Sequence, residues 1–307
     1  MGNQVISRPT INTSLPVAGD NLRSGMLIRN TGKVTLFLTP IFSYFFLWAP
    51  ILLLVIFSFN DSRGVDAWRG FTFKWYQNIF NGAVGTEGRF STELMLNSLS
   101  NSLIIAAAAT VISTLIGTMV AISLVRTNFP GKKLIDGLLF LPVVIPEITQ
   151  GVSLAIFFKI VFDFIEQTSG NKVLPGFGTI IVGHVAFNIS YVAIVVRARM
   201  ANMNPKLEEA AQDLGANQWQ TFYRITLPLI MPGIIAGALL ALTMSLDDFV
   251  VTFFNAGVGT TTLPMFVYGL LKVSVTPEVN ALSAIMLVVS MIMVGFSLML
   301  QNRSSSL

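Results

Sequence analysis

Six long apolar stretches alternate with short polar connections along this chain. They are Val34–Phe59, Leu103–Val125, Gly137–Phe162, Thr179–Val196, Ile225–Leu246 and Ala281–Leu300. Each is close to or beyond the roughly 20 residues that an α-helix needs to cross about 30 Å of hydrocarbon. The pattern therefore predicts an all-α integral membrane protein of six transmembrane helices. The first stretch exceeds the roughly 7–15 apolar residues of a signal-peptide core, so it reads as a retained span. The third is interrupted by Pro142, Pro146, Glu147 and Lys159, which predicts a broken helix whose second half begins near Pro146. One transmembrane domain, residues 34–300, is expected between a polar tail at 1–33 and a short tail at 301–307. No tandem repeat or low-complexity segment interrupts it.

Composition sharpens this picture. Of 307 residues, 53% are hydrophobic and 11% charged, with a mean hydropathy of +0.71. A soluble domain carries roughly 25% charged residues, so this chain cannot solvate the surface of a soluble globule. Charge placement sets the orientation. The two tails and the loops 126–136 and 197–224 hold twelve basic and five acidic residues, and the rest of the chain holds seven and ten. The positive side is expected in the cytoplasm, with both termini inside. The basic residues are dispersed, so no nucleic-acid partner is expected. With no Cys and a single His, His184, neither a disulfide nor a multi-His metal site is available. The Gly32-Lys33 and Gly131-Lys132 pairs lack the spacing and hydroxyl of a phosphate-binding loop, so no cofactor is expected in this chain.

The inner loop 197–224 has helix grammar. Asn204 and Pro205 suit an N-cap and first helical position. Glu208 and Glu209 sit in the opening turns, where negative charge complements the helix dipole. Gly215 suits a left-handed C-cap, and Asn217 with Gln220 suits a capping box for a second short helix, 218–224. On grammar alone this is either a well-capped connector or a helical hairpin built to dock in a groove.

The wording of the loop resembles a known family. Glu209-Ala210-Ala211, Gly215 six positions after the Glu, Ile225 and Leu227-Pro228 match the EAA loop of permease subunits of binding-protein-dependent ABC importers. The resemblance implies a type I importer permease fold. It also implies that the loop is the coupling helix docking on a separate ATPase subunit, which would bind the ATP and Mg. Further stretches resemble the family's spermidine/putrescine branch: Ser58-Phe59-Asn60, Trp68, Gly70-Phe71-Thr72, Lys74-Trp75-Tyr76, Ser245–Val251 and Pro277–Leu282. That implies a second permease subunit of different sequence, a soluble polyamine-binding protein and an inner-membrane location. The chain itself would catalyse no covalent step. The alternatives are the same architecture with another solute, or an autonomous ion-coupled transporter, which would have no ATPase to dock.

A polyamine is a flexible polycation, so its path needs carboxylates at intervals and aromatic faces. A carboxylate inside a span costs roughly 2.5–3.5 kcal/mol on insertion scales and should face a cavity or a partner. Glu147 is expected near the midplane, lining a path or satisfying N–H groups freed at the helix break. Asp247 and Asp248 lie about 33 Å along a helix from Ile225, which predicts the outer mouth. Adjacent helical residues diverge by about 100°, so one of the pair should face the passage and the other make a structural contact. Tyr191 in the fourth span, beside Asn188 and Ser190, is a further path candidate. Trp68, Phe71, Phe73, Trp75, Tyr76 and Phe80 would line an entrance or form an interfacial aromatic belt. His184 is expected to be a packed or hydrogen-bonded residue, and Gly233 with Gly237 a close-packing helix face.

Overall fold

A computed structural model describes residues 19–62, 64, 67–81, 92–201, 203–204, 206–273 and 277–305. The chain divides into two compact units, Met1–Leu54 and Val55–Leu307.

The first unit holds most of helix α1, Gly19–Phe57, whose apolar part Thr35–Phe57 is long enough to cross a membrane. The helix begins 15 residues ahead of Val34, inside the segment expected as a tail. The Asn, Ser and Thr bias of that segment is densest before residue 19. From Leu22 to Ile28 it carries helix-compatible Leu, Arg, Met and Ile. Residues 1–18 lie outside the described part.

In the second unit a short helix, α2 (Lys74–Phe80), precedes α3 (Thr92–Arg126), α4 (Lys132–Val144), α5 (Glu147–Ser169) and α6 (Phe177–Ala201). The loop expected on the inner side forms α7 (Lys206–Asp213) and α8 (Gln218–Thr221). A π-helical turn, Phe222–Thr226, leads into α9 (Leu227–Asp247), which is followed by α10 (Val250–Asn255), α11 (Leu263–Val273) and α12 (Pro277–Ser305). Counting α1, five described helices are long and apolar enough to span. The sixth expected span lies in α12, whose apolar stretch Pro277–Val289 stands out. Pro277 opens that helix.

Three boundaries differ from the hydropathy reading, each for a local reason. The third stretch is two helices, split where Ile145 and Pro146 are extended (ψ 132° and 137°). Pro146 drives the residue before it out of the helical region. Beyond the break α5 runs on to Ser169, because Lys159 is accommodated by Asp163 one turn later at 2.8 Å. The expected helix 218–224 does not end: it passes through the π turn into α9 just ahead of Pro228, where a missing N–H interrupts the regular ladder. α3 begins 11 residues before Leu103, because its polar first turns bind the loop 257–263. Asn101 donates to the carbonyls of Gly259 and Thr261 (both 3.0 Å), and Ser102 accepts from the Leu263 N–H at 2.8 Å.

The core is the mutual packing of α3, α6 and α9, around Ala121, Val192, Ala193, Val196, Met200, Ile230 and Ala241. Small residues bring membrane helices close without help from the hydrophobic effect. A Cβ on Gly117 would lie 2.8 Å from Val192 Cβ and 2.9 Å from the Ile189 carbonyl, and one on Gly233 would lie 2.7 Å from Arg199 Cβ. We expect Gly117→Ala to cost about 1–3 kcal/mol by overpacking, read as a lower melting temperature of the detergent-solubilised protein. In α6, 56% of the spanning window is buried, against 11% in α5. α6 is therefore the central post, and α5 leaves an apolar flank for lipid or another subunit.

Candidate functional site

The helix break at Pro146, the end of α9 and the middle of α6 enclose a cavity of about 330 Å³. Its lining includes Pro142, Glu147, Gln150, Phe187, Tyr191, Thr243, Asp247, Asp248 and Phe249. The four residues expected on a substrate path, Glu147, Tyr191, Asp247 and Asp248, are thus brought together.

Each side chain arrives there for a local reason. The break frees carbonyls as well as N–H groups, and Gln150 takes the carbonyls of Pro142 and Ile145 at 2.6 and 2.9 Å. Glu147, in the first turn of α5, makes no capping bond and is exposed. It does not serve as the expected filler of freed N–H groups; Gln150 secures the break and Glu147 remains open to the cavity.

The two aspartates divide as geometry requires. α9 ends at Asp247, and Asp248 is extended at φ −65°, ψ 124°. Asp248 accepts from the Val251 N–H (3.2 Å), the Thr252 N–H (2.8 Å) and the Thr252 hydroxyl (2.8 Å), capping α10. His184 reaches the same carboxylate with Nε2 at 3.2 Å, lies 2.9 Å from Thr252 Oγ1, and pairs Nδ1 with Ser245. Both side chains are buried, at 1% and 6% exposure. Asp247 is exposed and has no partner among the described residues. Asp247 therefore faces the cavity with its charge unspent, while Asp248 holds the wall behind it. Thr243 also lines the cavity, but its hydroxyl is spent on the Leu239 and Leu240 carbonyls of its own helix.

The contacts of α9 and α10 place the pair along α6, level with His184. Arg199, near the inner end of α6, donates to the Leu229 carbonyl at 3.0 Å, so the first turns of α9 lie level with that end. Beyond Asp248, α10 continues to Asn255, whose carbonyl accepts from Thr179 at the outer end of α6 at 2.7 Å. The aspartates sit one short helix below the mouth. The count from Ile225 includes the π turn and the first turn of α9, which lie level with the C-terminal end of α6.

Above the cavity is a ladder of rings. Phe249 packs on Tyr268 at 4.5 Å and on Phe253 at 5.3 Å. The Lys272 ammonium stands 4.8 Å from the Tyr268 ring centroid, so this face already accommodates a primary ammonium. The expected entrance aromatics are elsewhere. The Trp75 indole donates to the Asn60 carbonyl at 2.8 Å, and the Tyr76 hydroxyl pairs with Ser58 at 2.6 Å. Phe59, Phe71, Phe73 and Tyr76 stack together, and Trp68 meets Phe57 edge-on. These rings form a structural knot apart from the cavity, because their polar atoms are consumed within the loop. Phe80 is exposed.

The loop 197–224 is the second candidate element. Asn204 Oδ1 accepts from the Lys206 N–H at 3.1 Å, as expected of the cap; Pro205 lies outside the described residues. After α7, the N–H of Ala216 reaches the Ala211 carbonyl at 3.0 Å and that of Gly215 reaches Gln212 at 2.9 Å, closing a Schellman motif with Gly215 at φ +91°. Asn217 and Gln220 form the expected capping box, at 2.8 and 3.0 Å. The hairpin stands open. α7 buries no residue, Glu209 and Ala210 are exposed, and Leu214 is 91% exposed. Trp219 and Tyr223 stack at 6.1 Å on the outer surface. Ile225 and Leu227 are half-buried and Pro228 is exposed. Glu208 turns inward, where its carboxylate accepts from Arg126 of α3 and from the Thr226 hydroxyl.

Sequence reasoning missed Gln150, the His184–Asp248 pair, Tyr268 with Lys272, and Glu208 with Arg126. Two had local signals: an amide four residues past Pro146, and an aromatic–lysine pair at i, i+4. The others join residues 64 and 82 positions apart.

Residues 113–305 match the family described as the inner membrane component of binding-protein-dependent transport systems. Among curated proteins, the chain is 35% identical over 262 residues to the spermidine/putrescine transport system permease protein PotC of Haemophilus influenzae, covering 85% of this chain and 94% of that one. It is 37% identical over 262 residues to the putrescine transport system permease protein PotI of Escherichia coli K12, covering 85% and 87%. Among solved structures, a chain of a bacterial ABC transporter that imports the acidic polysaccharide alginate superposes with a TM-score of 0.69 at 20% identity, covering 92% of this chain and 99% of that one. At that identity the likeness concerns the fold.

Proposed function

Since this chain belongs to the inner membrane components of binding-protein-dependent transport systems, we propose that it is a permease subunit of an ATP-driven importer for polyamines, spermidine and putrescine among them. The observation that carries this reading is the cavity with two exposed carboxylates, Glu147 and Asp247, that have no partner among the described residues, within a bundle of spanning helices. Unpaired carboxylates are costly there, and ammonium groups spaced along a flexible chain would offset that cost as they pass. The ring ladder through Phe249, Phe253 and Tyr268 offers aromatic faces of the kind that attract an ammonium. An anion would meet like charge.

The mechanism follows from two elements joined by α9. ATP and Mg belong to separate ATPase subunits; closure of their dimer moves the hairpin 206–223. α9 begins in that hairpin and ends at Asp247, so movement at its base changes the cavity at its top. The outer side opens toward a soluble polyamine-binding protein, cargo passes along Asp247 and Glu147, and hydrolysis resets the assembly. A second permease subunit of different sequence completes the path and covers the apolar flank of α5. The positive face lies in the cytoplasm of the inner membrane, with both termini inside. No residue of this chain performs a covalent step.

The test is uptake of labelled spermidine and putrescine into vesicles carrying the whole transporter. The expected result is ATP-dependent accumulation of polyamine that excess unlabelled polyamine abolishes and an acidic oligosaccharide leaves unchanged. ATP hydrolysis without polyamine accumulation would overturn the cargo assignment.

A further inference from the structure

We propose that Glu208 is a positioning residue that latches the coupling hairpin to two spans at once, so that its movement reaches α3 directly as well as α9 through the chain. The inference rests on the reading above in taking the hairpin as the part moved by an ATPase subunit.

Apolar packing does not anchor α7, which buries no residue. What holds it inward is a closed triangle of polar groups. Arg126, in the last turn of α3, donates to the Glu208 carboxylate. The fully buried Thr226, in the π turn entering α9, donates to the same Oε1. Arg126 also donates to Thr226 Oγ1, at 3.0 Å. The Glu208 side chain is 18% exposed and that of Arg126 31%. Charge-assisted bonds to one shared oxygen are strong and directional, and partial burial protects them from the screening that weakens surface pairs.

The consequence is mechanical. α7 already reaches α9 through the chain, by way of the Gly215 elbow and α8. It has no short covalent path to α3, which ends 82 positions before Glu208. The latch supplies that connection. Because α3 packs along α6 and α9, holding α3 and the base of α9 to one carboxylate makes the core answer as one body, where a flexible loop would dissipate the movement. The two adjacent glutamates divide the work: they diverge by about 100° on the helix, so Glu208 turns inward to the spans while Glu209 remains exposed.

The test uses the complete transporter in vesicles, with Glu208→Ala, Arg126→Glu and the exchanged pair Arg126→Glu/Glu208→Arg. We expect Glu208→Ala to raise the ATP consumed per spermidine imported about five-fold or more, as loss of a coupling interaction does, with the ATPase subunit still retained. The exchanged pair should return the ratio toward wild type, which restoration of mere bulk would not do. A second readout is independent of the cargo. The chain has no Cys, so spin labels at Val125→Cys and Gln212→Cys report α3 against α7 alone. Their distance distribution should stay narrow through ATP binding in the latched protein and broaden with Glu208→Ala. Failure of the polyamine assignment appears in wild-type uptake; failure of the latch appears in these comparisons. An unchanged ratio and an unchanged distribution in Glu208→Ala would overturn the latch, as would a defect that the charge exchange leaves in place.

Discussion

Asp247→Asn is expected to reduce polyamine uptake by roughly ten-fold or more while the transporter still assembles. The side chain is exposed to the cavity and unpartnered among the described residues, so the fold loses little when its charge is removed. The passing ammonium loses a charge-assisted bond, worth about 1.5–3 kcal/mol, and each 1.4 kcal/mol is about ten-fold. Asp248→Ala should behave differently. It removes the cap of α10 and the carboxylate on His184, leaving the buried Val251 and Thr252 N–H groups without their acceptor, while His184 Nε2 keeps only Thr252 Oγ1. Buried groups stripped of partners cost about 1–3 kcal/mol each, so the loss should appear first as a lower melting temperature and lower yield of complex. Concentration-dependent uptake beside thermal unfolding separates the two: lost transport at unchanged stability for Asp247→Asn, lost stability for Asp248→Ala. Wild-type uptake in Asp247→Asn would remove the cavity from the route.

That contrast shows how far sequence reaches. Divergence of adjacent helical residues predicts different directions for the two aspartates, and the structure exposes Asp247 at the cavity while burying the Asp248 side chain. Which is which depends on α9 ending between them and on His184, 64 residues away, meeting the second; nothing local encodes either. The break before Glu147 is legible because Pro acts on its own neighbours. The height of the aspartates is legible only as a length along the chain, because the π turn at the base of α9 and the separate helix α10 beyond Asp248 have no signature in hydropathy. The aromatic loop is legible only in part. A run of Trp, Phe and Tyr says that rings will gather, and Asn60 and Ser58, by claiming the indole N–H and the phenol, fix how they stack, while Trp68, Phe71 and Phe73 remain exposed. The hairpin is read almost completely, since caps, Schellman closure and capping box are interactions within six residues.

The same locality makes Gly215→Asp the second large effect. Gly215 lies at φ +91°, in the left-handed region where a side chain is strained. It also closes the two bonds that end α7 and turn the chain toward α8. A Cβ there meets nothing within 4 Å, so steric collision inside this chain is not the difficulty. The difficulty is conformational, about 1–2 kcal/mol for the left-handed backbone, joined to a new negative charge at the C-terminal end of a helix, where the dipole disfavours it. The elbow should open or re-register, displacing Leu214 and the Trp219–Tyr223 pair from the surface offered to the ATPase subunit. Uptake should fall to background and the ATPase subunit should be lost on affinity purification, while the permease stays membrane-inserted with an unchanged melting temperature, because α7 contributes no buried residue to the core. Gly215→Asn isolates the charge: Asn and Asp both enter the left-handed region more readily than most residues, so Asn carries a similar backbone cost without the negative charge and should retain substantial uptake. Full retention of the ATPase subunit and full uptake in Gly215→Asp would mean that the elbow is a connector and that the drive enters the spans elsewhere.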